Sequence, residues 1–599
     1  MTAEAFTDEQ KRYLEGFVSG VQTSRVAAGL KPLGGVGGSG AAEPVGPDAV
    51  HLKAMARTEA TGKKLSNEEK AKRDDSPLDA YARLKGEAEA GQFPKGVDNF
   101  RWRYHGLFYV APAQDSFMCR LRIPNGILSH WQFAAVAGFA DRYGGGFSHV
   151  TTRANLQIRE IKAEHGPALV EDLAGIGLTP KGSGADNIRN VTGSATAGID
   201  AQELLDTRPY ARQWHHHILN TRTLYGLPRK FNVAFEGGGA IPTLEDTNDI
   251  SFTAVTVGDG GRRAGGTESA IWFRLGLGGI TGHKDFARPT GVFVKPEDAT
   301  MVADAIIRVY IDHGDRTDRK KARLKYVLDS WGFDTFLTEV ESRLGRPLQR
   351  FAEADVSPAN AQDRLAHAGI HPQKQPGKVW VGVVLPVGKI TSDQMRALAA
   401  IAQDLADGDI RLTVWQNLLI SGVDAANAGE IEARLNAIGL TSKASSVRAG
   451  LVACTGAPNC KFAAANTKGT AEAIAAYVEP RLALDSPVNI HLTGCQHSCA
   501  QHYIGDIGLI ACRVPVAPDS EDSVDGFHVH IGGGFGPDAA IARELFSGVR
   551  DTDCPLLILR LLKSYTAHRT NPSETFAMFA RRNDCQTILK MVAAEETVE

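Results

Sequence analysis

The feature that most constrains the fold of this chain is an internal repeat. When residues 118–161 are shifted by 262 positions onto residues 380–423, 11 of the 44 aligned positions are identical. The pairs that mark the repeat are Pro124/Pro386, Gly126/Gly388, Gln132/Gln394, Thr151/Thr413 and Asn155/Asn417. Each copy has the pattern of an apolar strand, a Pro-x-Gly turn, an Ala-rich helix and a second strand. A period near 260 is too long for a solenoid. It predicts a duplicated body of helices and strands, with pseudo-twofold symmetry and a site between the halves.

Composition excludes several classes of protein. The chain has 599 residues, with 66 Lys and Arg against 69 Asp and Glu. A protein whose main partner is nucleic acid usually carries a strong basic excess, so nucleic acid is not the expected partner. No apolar run approaches the roughly 20 residues of a membrane helix. The acidic start lacks the regions of a signal peptide, so we expect a cytoplasmic protein with no membrane partner.

The first hundred residues differ in character from the rest. Residues 5–22 are predicted to form an amphipathic helix, residues 29–48 a Gly- and Pro-rich linker, and residues 55–92 surface-lying helix. A G-x-G-x-x-G pattern begins at Gly35. It lies within the predicted linker, without the strand and helix that a dinucleotide site needs, so it does not indicate such a site.

The cysteines are unevenly placed. Four of the eight fall within 46 positions, as one Cys-x5-Cys pair and one Cys-x3-Cys pair: Cys454, Cys460, Cys495 and Cys499. Four thiolates in two close pairs suit one compact metal centre, either zinc or an iron–sulfur cluster. The x5 spacing is atypical of structural zinc, and the surrounding small residues would leave room for a cluster. The spacing therefore favours a cluster, with zinc and four unliganded buried thiols as the alternatives.

The two cysteine pairs, together with the duplication, resemble the siroheme-containing nitrite and sulfite reductases. The likeness covers about residues 95–595. It implies that the four cysteines hold a [4Fe–4S] cluster and that Cys499 also bridges the cluster to the siroheme iron. It also implies a mixed α+β fold, internally duplicated with pseudo-twofold symmetry and preceded by an N-terminal extension.

The same resemblance implies a division of the chain into five parts. These are an N-terminal helical and linker extension (1–95), a first ferredoxin-like half (96–180), a first siroheme- and substrate-binding domain (181–345), a second ferredoxin-like half (346–440) and a second domain carrying the cluster cysteines (441–599).

Three segments resemble those that bind the substrate anion in this family. The segment 117–126 implies that Arg120 binds the anion, and the segment 186–190 implies the same for Arg189. The segment 227–232 implies that Lys230 and Asn232 face the substrate, since two residues at this spacing share one face of a strand. In the second repeat Gly382 takes the place of Arg120, so we expect one half alone to keep the chemistry.

Two further segments resemble siroheme-binding segments. Because siroheme carries eight carboxylates, its pocket needs many cations. The implied residues are Arg153, Gln157, Arg159, Arg316, Arg319 and Arg323. The plain alternative for the last three is a solvated helix face.

The residue at position 232 bears on the substrate. Within the family, Lys-x-Lys at this place is typical of sulfite reductases and Lys-x-Asn of nitrite reductases, so the resemblance implies reduction of nitrite to ammonium. The chain shows no motif for NAD(P)H or flavin, and the resemblance implies ferredoxin or flavodoxin as the electron donor. The alternatives are a sulfite reductase, a cluster-containing electron-transfer subunit without siroheme, and a zinc-stabilised binding protein without catalysis.

Overall fold

A computed structural model describes residues 44–595 except 111–114, 259–269, 358–359 and 518–519, together with eight residues between 13 and 24. Chain contacts divide the protein into two compact units, Met1–Val45 and Gly46–Glu599. The eight described residues between 13 and 24, in the first unit, are helical. Most of the predicted helix at 5–22, most of the predicted linker and the pattern at Gly35 lie outside the described residues.

The second unit contains 21 strands among its described residues. In chain order they are β1 (Leu107–Val110), β2 (Ser116–Arg120), β3 (Ile127–Ser129), β4 (Phe147–Val150), β5 (Leu156–Ile161), β6 (Thr192–Gly193), β7 (Val233–Glu236), β8 (Ile250–Val257), β9 (Ala270–Leu277), β10 (Arg288–Val294), β11 (Gln349–Arg350), β12 (Gly369–Pro372), β13 (Lys378–Val383), β14 (Lys389–Thr391), β15 (Asp409–Leu412), β16 (Leu418–Asp424), β17 (Leu451–Ala453), β18 (Ile490–Thr493), β19 (Ile507–Pro515), β20 (Ser523–Ile531) and β21 (Arg543–Arg550).

Sixteen α-helices accompany these strands in the described part of the second unit. They are α1 (Ala49–Ala60), α2 (Asn67–Asp74), α3 (Tyr81–Glu89), α4 (Asp98–Trp102), α5 (His130–Tyr143), α6 (Gly166–Gly175), α7 (Arg208–Asn220), α8 (Ala299–His313), α9 (Leu324–Trp331), α10 (Phe333–Leu344), α11 (Ser392–Leu405), α12 (Ala428–Ala437), α13 (Thr467–Val478), α14 (Cys554–His568), α15 (Phe576–Arg582) and α16 (Cys585–Ala594).

Two five-stranded sheets carry the repeat, and each borrows one strand from the other copy. The first sheet has the order β1-β2-β5-β4-β14, and its partner has the order β12-β13-β16-β15-β3. Strand β3 pairs antiparallel with β15, and β14 pairs antiparallel with β4. Helices α5 and α11, one from each copy, also pack against each other. The two copies therefore share one core, as their joint hydrophobic cluster shows.

The local chemistry of the repeat explains why both copies fold alike. Ser129 and Gln132 form a capping box at the start of α5, and Thr391 and Gln394 form the same box at the start of α11. Each box satisfies two backbone N–H groups that the first turn of a helix leaves unpaired. The predicted duplication is thus confirmed down to the caps of its helices.

The other two sheets are also a pair. The order β11-β10-β9-β8-β7-β6 in one corresponds to β21-β20-β19-β18-β17 in the other. In each sheet the first strands in the chain are parallel and the later ones antiparallel. Because parallel strands end at the same edge of a sheet, the loops that follow them meet there.

Helices α1, α2 and α3, which precede residue 95, belong to the second compact unit. Leu84 and Ala88 of α3 are fully buried in the shared core, and Glu69 of α2 is fully buried as well. Residues 46–95, predicted as part of an extension, therefore pack with the body. No helix in the described part of the chain is long and apolar enough to cross a membrane.

Candidate active site

The four clustered cysteines lie at the ends of two parallel strands. Cys454 directly follows β17, while Cys495 and Cys499 follow β18, which pairs with β17 in parallel. A single 3-10 turn, Ala457–Asn459, separates Cys460 from Cys454. The backbone N–H of Gly494 donates to the Sγ atom of Cys454 at 3.1 Å, as is usual for a sulfur that ligates metal.

The four thiols influence one another electrostatically. Burial, together with the other three sulfurs, raises the pKa of Cys495 to about 12. Burial also raises the pKa of Cys454. Among the described residues, no group of three or more His, Cys, Asp or Glu is arranged to hold a single metal ion. The coupling of Cys495 to the other three sulfurs places the four thiols near one another, as the ligands of one compact centre must be.

Both cysteine loops are held by residues of the first repeat. Thr152 donates its hydroxyl to the carbonyl oxygen of Cys499 at 2.9 Å. Arg159 donates from Nη2 to the carbonyl oxygen of Asn459 at 2.8 Å. The site is therefore built between the two halves, as the repeat predicted.

Several of the predicted cationic residues meet beside Cys499. Burial lowers the pKa of Arg120, and the Cys499 thiolate opposes this effect. Burial likewise lowers the pKa of Arg153 to about 10 and that of Lys230 to about 7, again against the influence of Cys499. Electrostatic coupling to Arg120 brings Arg189 into the same group.

Two of these cations lack an acceptor. The Arg120 guanidinium lies 4.5 Å from the centre of the Phe108 ring, and among the described residues it has no hydrogen-bond acceptor. The ammonium of Lys230 also has none within that part of the chain. Half-buried cations without partners are unfavourable, so the arrangement fits a strongly anionic ligand. A macrocycle with many carboxylates and a small oxyanion substrate both meet that requirement.

Arg189 is fixed rather than free. Its guanidinium donates to the carbonyl oxygens of Ser183 and Ala185 at 2.6 and 2.7 Å. The segment that carries it is held by Arg122, which donates to the carbonyl oxygens of Ile188 and Arg189 at 2.6 and 3.3 Å. Arg189 therefore presents its charge in one defined orientation.

Asn232 holds two guanidiniums together. In the amide orientation that satisfies its neighbours, its side-chain oxygen accepts from Arg153 at 3.1 Å and from Arg323 at 3.3 Å. Its backbone N–H donates to Asp249, which also pairs with Arg323 through two hydrogen bonds of 2.7 and 3.1 Å. A neutral acceptor at position 232 thus keeps two cations side by side without adding a third.

The predicted siroheme residues Gln157 and Arg159 lie on β5, on the side of the cluster loops. The Arg159 guanidinium is 1% exposed and donates to the Gln157 side chain at 3.1 Å, besides its bond to Asn459. Its Nε atom has no partner among the described residues. Electrostatic coupling to Cys460 places Arg159 next to the cysteines.

Arg316 and Arg319 are engaged by carboxylates. Arg316 pairs with Glu69 at 2.6 Å, and Arg319 makes two hydrogen bonds of 2.7 and 2.8 Å to Asp186. Lys72 of α2 bridges the same two carboxylates. These contacts replace the solvated helix face considered for this segment with a buried ion network. Siroheme contacts from these two arginines stay a prediction.

The corresponding place in the second half is filled. Gly382, at the position of Arg120, has no room even for a Cβ atom, which would lie 2.5 Å from the carbonyl oxygen of His367. Trp415, at the position of Arg153, is 2% exposed and stacks on the His367 ring. The described residues therefore keep the cationic pocket in one half alone, as the glycine at position 382 predicted.

Sequence reasoning missed two residues of the site. Lys468 lies in the first turn of α13 and donates to the carbonyl oxygen of Ala453, next to Cys454. A cation is unfavourable at the positive end of a helix, so its presence there indicates a nearby anion. Arg122 lies two positions after Arg120, just beyond the end of β2, at the spacing that puts two side chains on the same side of an extended chain. The helix position would have identified Lys468 as a site residue, and the spacing from Arg120 would have identified Arg122.

Comparisons with known proteins agree with this geometry. Residues 184–348 and 444–592 match the family description "Nitrite and sulphite reductase 4Fe-4S domain". Residues 110–176 and 371–438 match the "Nitrite/Sulfite reductase ferredoxin-like half domain". Both descriptions match twice, once in each half of the chain.

Individual relatives cover most of the protein. The chain is 35% identical to the ferredoxin–nitrite reductase of Synechococcus elongatus over 519 residues, which are 85% of this chain and 98% of the relative. It is 34% identical to the chloroplastic ferredoxin–nitrite reductase of Zea mays, over 83% of this chain and 89% of the relative. The solved structure of the NirA protein of Mycobacterium tuberculosis matches with a TM-score of 0.80 at 26% identity, over 89% of this chain and 99% of that one. The chain therefore belongs to the nitrite and sulphite reductase family.

Proposed function

We propose that this protein reduces nitrite to ammonium in six one-electron steps, at a siroheme coupled to a [4Fe–4S] cluster, with ferredoxin as the electron donor. The observation that carries the proposal is the meeting of four cysteines with Arg120, Arg153 and Lys230 around Cys499. The relatives named ferredoxin–nitrite reductase, which match over most of the chain, support the same activity.

The cations of the first half would hold the siroheme. Arg153 and Arg323, with Gln157, are the residues we assign to its carboxylates. The guanidinium of Arg159 is held by the Gln157 side chain and the carbonyl oxygen of Asn459, and its contact with siroheme stays a prediction. Arg153 and Arg323 are already held together by Asn232, so they would offer a fixed pair of donors. When bound, siroheme supplies an iron that takes the oxyanion and passes electrons to it. Cys499 would connect that iron to the cluster held by all four cysteines.

Arg120, Arg189 and Lys230 would bind the anion. Arg189 is preorganised by two carbonyl oxygens, so its charge is in place before the anion arrives. The Arg120 side chain keeps its donors available because its contact with Phe108 is through the ring face. The ammonium of Lys230, with a pKa of about 7, can release a proton from Nζ near neutral pH and regain one from water.

The absence of a charge at position 232 favours nitrite over sulfite as the substrate. Nitrite carries one negative charge and sulfite two, so a pocket with one fewer cation favours the monoanion. Asn232 adds no charge and instead accepts from Arg153 and Arg323. Ferredoxin-dependent sulfite reduction on the same scaffold is the competing activity.

The electron donor would dock through basic residues. We propose ferredoxin, with flavodoxin as the alternative donor, on a surface that includes the exposed Lys320 and Lys321. Lys325 nearby is held by Asp285 and Asp329 at 2.5 Å and so contributes less net charge. Such docking is steered by charge and weakens with salt.

We also propose that the protein works in the cytoplasm. All eight of its cysteines are free thiols, and four of them are the proposed cluster ligands. Free thiols and an iron–sulfur centre suit a reducing compartment.

Steady-state assays with chemically reduced ferredoxin test the function. We expect kcat/KM for nitrite to exceed that for sulfite by at least about tenfold, a difference of about 1.4 kcal/mol in transition-state stabilisation. A higher kcat/KM for sulfite would replace nitrite reduction with the competing activity. A colourless protein containing zinc would contradict both.

A further inference from the structure

Each cysteine of the first pair has a cation bound to the carbonyl oxygen of the residue before it. Lys468 donates to the carbonyl oxygen of Ala453, which precedes Cys454, at 3.3 Å, and also to that of Val387. Arg159 donates to the carbonyl oxygen of Asn459, which precedes Cys460, at 2.8 Å. The two cations come from different halves of the chain and reach the same loop.

Neither cation is neutralised by a carboxylate. Among the described residues, neither Lys468 nor Arg159 forms an ion pair, and the Arg159 Nε atom has no partner. The carboxylate that acts on Lys468 most, Glu472, is itself paired with Arg448 at 3.0 Å. The other acceptors of both cations are neutral. Among the described residues, no carboxylate side chain therefore balances these two positive charges beside the cysteine loop.

The position of Lys468 adds a second argument. It is the second residue of α13, where the positive end of the helix disfavours a cation. A lysine placed there is stabilised by a negative group at the cysteines, and a cluster with four thiolate ligands is such a group.

We propose that Lys468 and Arg159 set the reduction potential of the cluster, by stabilising its reduced form with two unbalanced positive charges. The proposal rests on the proposed function in one respect, that the four cysteines hold a [4Fe–4S] cluster. Reduction of the cluster adds one electron, which reduced ferredoxin gives up. No bond forms or breaks and no proton is taken. Nearby charge and burial are known determinants of the potentials of such clusters.

The test is a potentiometric titration of the full-length protein with both cofactors bound, with the reduced cluster followed by electron paramagnetic resonance. We expect Lys468→Met and Arg159→Met each to lower the ratio of reduced to oxidised cluster at a fixed potential by at least tenfold. For a one-electron couple that is a negative shift of about 59 mV. The charge-retaining variants Lys468→Arg and Arg159→Lys should stay close to the wild-type potential.

Lys461→Met is the matched control. Lys461 is adjacent to Cys460 but exposed to solvent, so water and salt screen its charge and the potential should not change. If Lys468→Met or Arg159→Met loses iron, Lys468→Gln or Arg159→Gln is titrated instead, because glutamine keeps a donor for the carbonyl oxygen. Wild-type potentials in the neutral variants, at full iron and sulfide content, would overturn the proposal. If the variants show these shifts but the wild-type protein does not turn over nitrite, the result would count against the proposed function only.

Discussion

Asn232 shows how one uncharged residue can define a cationic pocket. Its side-chain oxygen accepts from Arg153 and Arg323, and its backbone donates to Asp249. A lysine at the same position has no acceptor to offer and would add a charge beside two guanidiniums. Repulsion from these guanidiniums would turn the new ammonium toward the anion.

We predict that Asn232→Lys shifts the preference of the enzyme toward sulfite. The added charge should lower kcat/KM for nitrite and raise the sulfite-to-nitrite ratio by about tenfold or more, since hydrogen bonds to charged groups contribute about 1.5–3 kcal/mol. The measurement is kcat/KM for both anions with the same reduced ferredoxin. Asn232→Gln, which keeps the acceptor, is the control and should retain the preference for nitrite. An unchanged ratio in Asn232→Lys would remove position 232 as the discriminator.

Individual residues of the site differ in how far the sequence predicts them. The four cysteines are recognisable because their spacing is local in the chain. The partners of Arg319 are not, because Asp186 lies 133 positions away and comes near through the fold alone. The role of Asn232 as an acceptor for Arg153 and Arg323 was not predictable for the same reason, because both arginines are distant in the chain. Lys468 was missed for a different reason, since its signal is electrostatic rather than a motif.

At the scale of elements, helix α2 is joined to the site by a buried ion network. Its Glu69 and Lys72 meet Asp186 and Arg316 in a region with almost no solvent exposure. Asp186 lies three residues before Arg189, so the network fixes the loop that carries an anion-binding residue. A composition-based boundary at residue 95 could not reveal this, because the charged face of α2 resembles a solvated one.

The network predicts a dependence of stability on pH. Burial alone would raise the pKa of Asp186, but Lys72, Arg319 and Arg229 lower it to about 2. A lowered pKa contributes stability above the unfolded value of 3.8, and this contribution is lost as the pH falls toward 2. For Asp186 the contribution is on the order of 2 kcal/mol.

Asp186→Asn should therefore be less stable than the wild type at pH 7 and should lose less stability between pH 5 and pH 2.5. Urea unfolding followed by circular dichroism measures both quantities. Asp485→Asn is the matched control, because Asp485 pairs with Arg569 at the exposed surface and should matter little. Equal pH profiles for Asp186→Asn and the wild type would show that the network does not stabilise the fold.

At the scale of the whole molecule, the two halves are joined by exchanged strands. Strand β3 of the first copy completes the second sheet, and β14 of the second copy completes the first. The backbone N–H of His130 donates to the carbonyl oxygen of Gly408, and that of Ser392 donates to the carbonyl oxygen of Gly146. These two equivalent hydrogen bonds also join one copy to the other. The repeat predicted two related halves, but the exchange depends on chain connectivity in space and has no sequence signature.

We predict that neither half folds alone. Expressed separately, residues 46–345 lack the edge strands β14 and β11, and residues 346–595 lack the edge strand β3. Both fragments expose part of the shared core. Each fragment should show weak, non-cooperative thermal unfolding by circular dichroism. Co-expressed, the two fragments should purify as a one-to-one complex with cooperative unfolding. Two separately stable, monomeric fragments would contradict the exchange as a requirement for folding.

We propose that one site between these halves carries nitrite through six one-electron steps. The stoichiometry tests this: the number of reduced ferredoxin molecules oxidised per nitrite consumed is measured together with the ammonium formed. We expect six ferredoxins oxidised and one ammonium formed for each nitrite. A ratio below six with a product other than ammonium, or no consumption of nitrite by a protein loaded with both cofactors, would contradict it.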